Sequence, residues 1–460
     1  MKNIKSSQNR SQKQREMMLE KNLLVLLPMV ALPQIVTQLI DSFYNLADTF
    51  FVSGLGEAAT AAVSINDSLL HLLRSISLAF GVGSASYMSQ LLGANRDEEA
   101  SKVASTTLFT AAFTVAGIAL IMFIFLSPFL SLLGAIDSIK GYSMEYGRWT
   151  LLFAPFTAIN ICLSQALRSE GNTKLSMIGQ TSGCVINILL DPIFIYTFNL
   201  GVAGAAIATG ISKIISTCIL SSNFLRGKTV LSINPSLISP GLKLYSEIAR
   251  IGIPSGLRSS MLAIANIVIN NLAAGFGEIA LASVSVANKC MKLVGAAFLG
   301  LGQGFQPVAG YCWGAKKYRR VHTAFVYVSL FGVGLAIVLG TGLYMLAPTI
   351  IELFSDEKDM MHYGVILIRS QCITLPMHMW IVLANGLLTA TRRALLSGLL
   401  GFCRQFFSLI PAAIILTMVF KINGLIVAQA IADIISCLIA AAMVIPLMKR
   451  IRQLDRESLG

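Results

Sequence analysis

The stretch ALPQIVTQLIDSFYNLADTFF, residues 31–51, decides the fold. It lies inside an apolar segment long enough to cross a bilayer, yet it carries Gln34, Gln38, Asp41, Asn45 and Asp48. These positions step by 4, 3, 4 and 3, so on an α-helix they form one continuous polar face. Such a face cannot be turned to hydrocarbon. It must meet other helices or a watery cavity. A carboxylate at the bilayer centre costs roughly 2.5–3.5 kcal/mol on insertion scales. Asp48 and Asp41 are therefore expected to be functional, against the plainer reading of a structural hydrogen bond to a neighbouring helix.

Composition agrees with a membrane chain. Of 460 residues, 55% are apolar and 12% charged, against about 25% charged in soluble domains. The mean hydropathy is +0.73. The eight cysteines are scattered through apolar segments with no CxxC pair, so they read as buried free thiols. The four histidines form no metal-ligand pattern, and no Gly-rich phosphate loop follows a strand pattern. No cofactor and no firm metal site are expected.

Spanning segments are expected at 23–52, 58–92, 103–134, 143–168, 175–199 and 202–225. A polar link then runs over 226–250, and six more spans follow at 251–275, 281–313, 322–351, 361–390, 395–420 and 424–448. The fold class is an all-α polytopic membrane protein of twelve transmembrane helices. Its expected divisions are a basic tail (1–22), an N-terminal lobe (23–225), a linker (226–250), a C-terminal lobe (251–448) and a charged tail (449–460). With both termini in the cytoplasm, cytoplasmic segments, with Arg168 at the cytoplasmic end of the fourth span counted among them, hold 24 Lys and Arg, and external loops hold three: Lys140, Lys358 and Lys421. That bias orients the chain by the positive-inside rule. It also accounts for the net charge of +13 without any nucleic-acid partner.

The chain repeats itself at a shift of 221 residues. Pro33 falls on Pro254, Asn45 on Asn266, Gly81 and Gly83 on Gly302 and Gly304, Gly93-Ala94 on Gly314-Ala315, and Pro155 on Pro376. Each copy holds six spans, an even number, so the two copies keep the same orientation. They are expected to relate by a pseudo-twofold axis along the membrane normal, an arrangement found in transporters that rock two lobes about a central cavity. The repeat breaks at the acids. Asp48 falls on Ile269, and Asp191 falls on the Pro411-Ala412 pair.

A second acidic element is CVINILLDPIFIYTF, residues 184–198. Asn187 and Asp191 share one helical face, and Pro192 removes the next backbone hydrogen bond. Asp191 lies roughly 24 Å from the cytoplasmic start of its span at ~1.5 Å per residue, and Asp48 also lies towards the outer end of its own. Two carboxylates at similar height in one lobe are placed to share a proton or a cation.

The stretches YNLADTFFVSGLG (44–56), SQLLGA (89–94), NILLDPIFI (187–195) and GYCWGAKKYRRV (310–321) resemble the multidrug and toxic compound extrusion (MATE) transporters, over nearly the whole chain. The resemblance is closest to the bacterial and archaeal DinF/MepA-like side. It implies antiport of organic compounds against H⁺ or Na⁺, with a coupling site in the N-terminal lobe at Asp48, Asn187 and Asp191. It further implicates Tyr146 and Thr209, and makes Pro33 a bend in the first helix. Members of the NorM type place acids in spans 7 and 10, and here 251–275 and 361–390 contain none. Asp67, His71 and Arg74 depart from the family pattern, as a structural ion pair or as a device that tunes the acids.

The expected function is multidrug efflux by a proton-coupled antiporter of the inner (cytoplasmic) membrane, working by alternating access as a monomer. Na⁺ at Asp48, Asn187 and Asp191 is the second choice of coupling ion. Gln34, Gln38, Asp41, Asn45, His71 and Arg74 are expected to support the site or line the substrate cleft. The partners are small organic molecules and the lipid bilayer. The alternatives are a lipid-linked oligosaccharide flippase of the same superfamily and, more remotely, an intramembrane enzyme using two aspartates.

Overall fold

The computed structural model describes residues 2–133, 135–239, 241–352 and 357–457. Met1 and the last three residues of the tails set apart above lie outside the described residues, as do 134, 240 and 353–356. Twelve of the described helices are long and apolar enough to cross a membrane, as the hydropathy pattern requires. In chain order the helices are α1 (Lys2–Glu20), α2 (Leu23–Ser53), α3 (Glu57–Gly93), α4 (Asp97–Ile124), α5 (Leu126–Leu132), α6 (Asp137–Ser169), α7 (Thr173–Pro192) and α8 (Gly201–Leu225). They continue as α9 (Leu242–Ala274), α10 (Glu278–Gly314), α11 (Tyr318–Glu352), α12 (Lys358–Ala390), α13 (Ala394–Phe402), α14 (Ile410–Phe420) and α15 (Ile422–Glu457). Two π-helical segments extend spans: Ile193–Thr197 after α7 and Cys403–Leu409 between α13 and α14. The first follows Pro192 directly, where the missing N–H loosens the regular ladder.

The chain forms two compact units. The first comprises the residues up to Lys21 and Val36–Gly256, and the second comprises Asn22–Ile35 and everything from Leu257. Compactness thus groups the spans differently from their order at two points. The first half of α2 packs in the second unit, and the first half of α9 packs in the first. The divisions fall after Ile35 and after Gly256, again 221 residues apart and each two residues beyond the matching Pro33 or Pro254.

The local reason is close backbone approach. A Cβ on Gly304 would lie 2.4 Å from the Ala31 Cα, and one on Gly83 would lie 2.4 Å from the Ile248 carbonyl oxygen. Without a hydrophobic drive between helices in lipid, small residues that admit such contact are what bring spans together. In the first unit, α3 packs most extensively on α6, and α4 and α8 also lie against α6. Leu69, Leu73, Val115, Leu126, Leu130 and Leu151 fill the core between α3, α4, α5 and α6.

Helix α1 gives the basic tail a fixed place. Met18 and Leu19 are buried, the Gln14 amide donates to the Glu170 carbonyl at 2.7 Å, and Ser11 bonds Asp97. The linker is stitched to the same unit. The Ser232, Asn234 and Ser239 amides donate to the hydroxyls of Ser101, Ser105 and Thr106 on α4. Glu170, fully buried between α6 and α7, accepts from the amides of Val230 (3.1 Å) and Leu231 (2.8 Å) and from Asn172 (2.7 Å). Burial pushes its carboxyl up to about 7, against the opposing pull of those three donors. The cysteines are free as expected, but not all are buried: Cys218 is exposed on α8, and Cys290, Cys403 and Cys437 are half-buried. A thiol behaves as a small hydrophobe and tolerates a lipid-facing position.

Candidate functional site

The polar face of α2 is the starting point. Gln34 is buried in the second unit, whereas Gln38, Asp41 and Asp48 are half-buried and Asn45 exposed in the first. Asn45 bonds back to its own helix, its amide donating to the Asp41 carbonyl one turn earlier at 2.5 Å. The Gln38 carbonyl accepts from Ser42 at 2.9 Å. These are local bonds and leave the carboxylates available.

Asp191, on the last turn of α7, is fully buried and Asn187 nearly so. The Asn187 amide donates to Asp191 Oδ1 and to Thr209 Oγ1 on α8, both at 3.2 Å. Tyr44 of α2 comes close to Thr209, and Asp48 and Asp191 are near enough for their charges to act on each other. Tyr146 of α6 is buried and feels the charges of Asp48, Asp67 and Asp191. It is held by an apolar cluster that includes Val52, Val63, Ile195 and Val202. Asp48, Asn187, Asp191, Tyr146 and Thr209 are therefore brought into one neighbourhood from four helices.

Three oxygens of this neighbourhood have no hydrogen-bond partner among the described residues: Asp48 Oδ1, Asp191 Oδ2 and Asn187 Oδ1. Buried acceptors are normally satisfied, and each orphan costs about 1–3 kcal/mol. Three acceptors without a donor are what a proton or a small monovalent cation would satisfy. Among the described residues no group of three or more His, Cys, Asp or Glu is arranged to hold a metal ion. Any cation here must use the amide and hydroxyl oxygens as well.

Two cations border the acids. Arg74 of α3 reaches Asp41 on α2, Nη2 to Oδ2 at 3.5 Å, with the Arg side chain half exposed. Lys213 of α8 stands 5.8 Å from the centre of the Tyr44 ring. His71 and Asp67 lie exposed on α3. Tyr44 was not among the residues nominated from sequence. Its signal was available, since it lies four residues before Asp48 and so on the same helical face. An aromatic in an apolar helix is more often packing, which is why periodicity alone passes over it.

The MatE family model matches this chain twice, over residues 33–193 and 254–415, again offset by the repeat. The chain belongs to the MatE family of transporters. It is similar to the multidrug export protein MepA of Staphylococcus aureus, with 28% identity covering 93% of this chain and 95% of that protein. MepA of Staphylococcus saprophyticus is 27% identical over the same shares. Among solved structures, an outward-facing multidrug resistance MATE family transporter of the MOP superfamily aligns with a TM-score of 0.91, 23% identity and coverage of 95% and 98% of the two chains. A MOP superfamily transporter from Pyrococcus furiosus aligns with a TM-score of 0.90, 22% identity and coverage of 96% and 99%. The MatE fold is thus shared over nearly the whole length. The family consists of transporters and not enzymes, which removes the intramembrane-enzyme reading.

Proposed function

We propose that this MatE transporter exports organic compounds in exchange for protons, with the coupling site at Asp48, Asn187, Asp191, Thr209 and Tyr146 of the first unit. The observation that carries the reading is the trio of buried, unsatisfied oxygens on Asp48, Asn187 and Asp191. Two carboxylates that act on each other's charge in a desolvated setting favour taking up one positive charge between them. Loading from outside would neutralise the pair, and release to the cytoplasm would restore it, in step with alternating access. The curated relatives, both multidrug export proteins, support organic compounds as cargo. The charge bias of the loops supports a multi-pass chain with cytoplasmic termini in the inner membrane. One charge crossing 100 mV contributes ~2.3 kcal/mol, enough to support a gradient of roughly fiftyfold for a neutral cargo.

The test is ethidium efflux from proteoliposomes under a pH gradient alone and under a sodium gradient alone. Wild type is expected to respond to the pH gradient, and Asp48→Asn and Asp191→Asn to lose that response. Transport driven by sodium alone would move the coupling ion to Na⁺ at the same three oxygens. Variants that behave like wild type would remove the site from the mechanism.

A further inference from the structure

The second unit carries a buried charge cluster that the coupling reading leaves unused. On α15, Asp433 Oδ1 accepts from Arg404 Nε (3.0 Å), Arg404 Nη2 (2.8 Å) and Gln429 (3.3 Å). Arg404 Nη2 also lies 2.7 Å from His378 Nδ1 on α12, which with an arginine donor must act as the acceptor. The Asp433 and Arg404 side chains are only 5% and 16% exposed, so this is a desolvated pair. Arg404 sits in the π-helical segment Cys403–Leu409, a distortion often found where a helix must present one side chain out of register.

A second arginine joins it. Arg258 of α9 lays its stem across Gly401, one turn before Arg404. A Cβ on Gly401 would stand 2.5 Å from Arg258 Cδ and 2.6 Å from Cγ. The two guanidinium charges act on each other. Among the described residues no carboxylate lies within ion-pair distance of Arg258. With Asp433 committed to Arg404, the cluster holds one uncompensated positive charge.

Its depth makes that charge informative. Arg258 lies eight residues beyond Arg250, and Arg404 ten beyond Ala394, or ~12 and ~15 Å into their spans at ~1.5 Å per residue. The hydrocarbon layer is about 30 Å thick, so both are near its middle, where an uncompensated guanidinium must face water or a partner rather than lipid. A planar guanidinium fork matches a carboxylate in two hydrogen bonds.

We propose that the second unit binds the carboxylate of amphiphilic organic cargo, at a site built on Arg258 with Arg404 behind it. The proposal rests on the export reading for its physiological role but not for its chemistry. Among amphiphilic cargo, the site selects the molecules that carry a free carboxylate.

The test uses the full-length protein and a matched pair of dyes, rhodamine B and its ethyl ester, which share one cationic ring system and differ in a free carboxylate. Binding to purified protein is read by fluorescence polarisation, and ethidium efflux is read in proteoliposomes of the same preparation. Wild type is expected to bind the acid about tenfold more tightly than the ester, as one charge-assisted hydrogen-bonded pair would give. Arg258→Gln brings the ratio of the two dissociation constants to about one, Arg258→Lys keeps part of the preference, and Gly401→Ala weakens it by displacing the arginine stem. A wild type with no preference for the acid, or an Arg258→Gln protein that keeps the wild-type ratio, overturns the site. Loss of ethidium efflux with the acid preference intact sinks the export reading and leaves the site standing.

Discussion

Equivalent positions of the two units carry opposite chemistry. Asp48 of the first unit stands where the second has Ile269, and Asp191 where it has Ala412. Conversely, Arg404, His378 and Asp433 of the second stand where the first has Gly183, Thr157 and Ser212. Asp48 and Asp191 of the first unit keep unsatisfied oxygens, whereas Asp433, the buried acid among the described residues of the second, accepts three donors from Arg404 and Gln429. The backbone devices, by contrast, match from copy to copy. Gly56 and Gly277 open α3 and α10 with φ of +102° and +101°, a region that side chains rarely adopt. A duplicated fold thus keeps what its helix geometry needs and leaves its buried polar positions open to diverge, one unit toward carboxylates with unsatisfied oxygens and the other toward a locked ion pair beside a spare cation.

The sharpest way to break this contrast is to ask which acids titrate when cargo binds. Adding ethidium to weakly buffered wild-type protein should release protons. The Asp48→Asn/Asp191→Asn double variant should release none, and Asp433→Asn should release as many as wild type. Release that follows Asp433 instead would reverse the roles of the two units.

The next effect concerns stability. Arg404→Met leaves Asp433 buried without its main partner, and removing one member of a buried pair costs about 3–5 kcal/mol. Arg404→Met combined with Asp433→Leu should recover most of the loss in a thermal or denaturant titration. A single variant as stable as wild type would show that the pair is not desolvated.

Glu170 offers a pH test outside the membrane. Its carboxyl in the folded protein is raised to about 7 from an ordinary 4.5, so its contribution is fully present below the unfolded value and is lost as pH rises through 7. Up to about 3 kcal/mol is at stake. The melting temperature of wild type should fall between pH 5 and pH 8 relative to Glu170→Gln, which lacks the titration. Parallel curves would mean that the three donors offset burial.

The smallest effect is expected at Arg74. Its contact with Asp41 is long and half exposed, and exposed pairs contribute about 0–1 kcal/mol. Arg74→Gln should leave stability nearly unchanged. A large change in transport at unchanged stability would give Arg74 a part in tuning the acids.

Spans, repeat and acidic face are all local properties of the chain, and they were legible in it. The period of 3.6 residues exposes a polar face such as 34–48, and length and hydropathy mark each crossing. The 221-residue shift needs only the matching of prolines and glycines. Asp48, Asn187 and Asp191 stand out because a polar group in hydrocarbon must have a reason. What a face meets is not a local property. Tyr44 became part of the site only through Thr209, 165 residues away. Arg258, His378, Arg404 and Asp433 lie on four different spans, and no helical period links them. The regrouping of the first halves of α2 and α9 is equally invisible in sequence order, because it follows from backbones that approach closely at Gly83 and Gly304. Periodicity fixes which residues share a helix face, and only the packing of one helix on another decides which faces are joined.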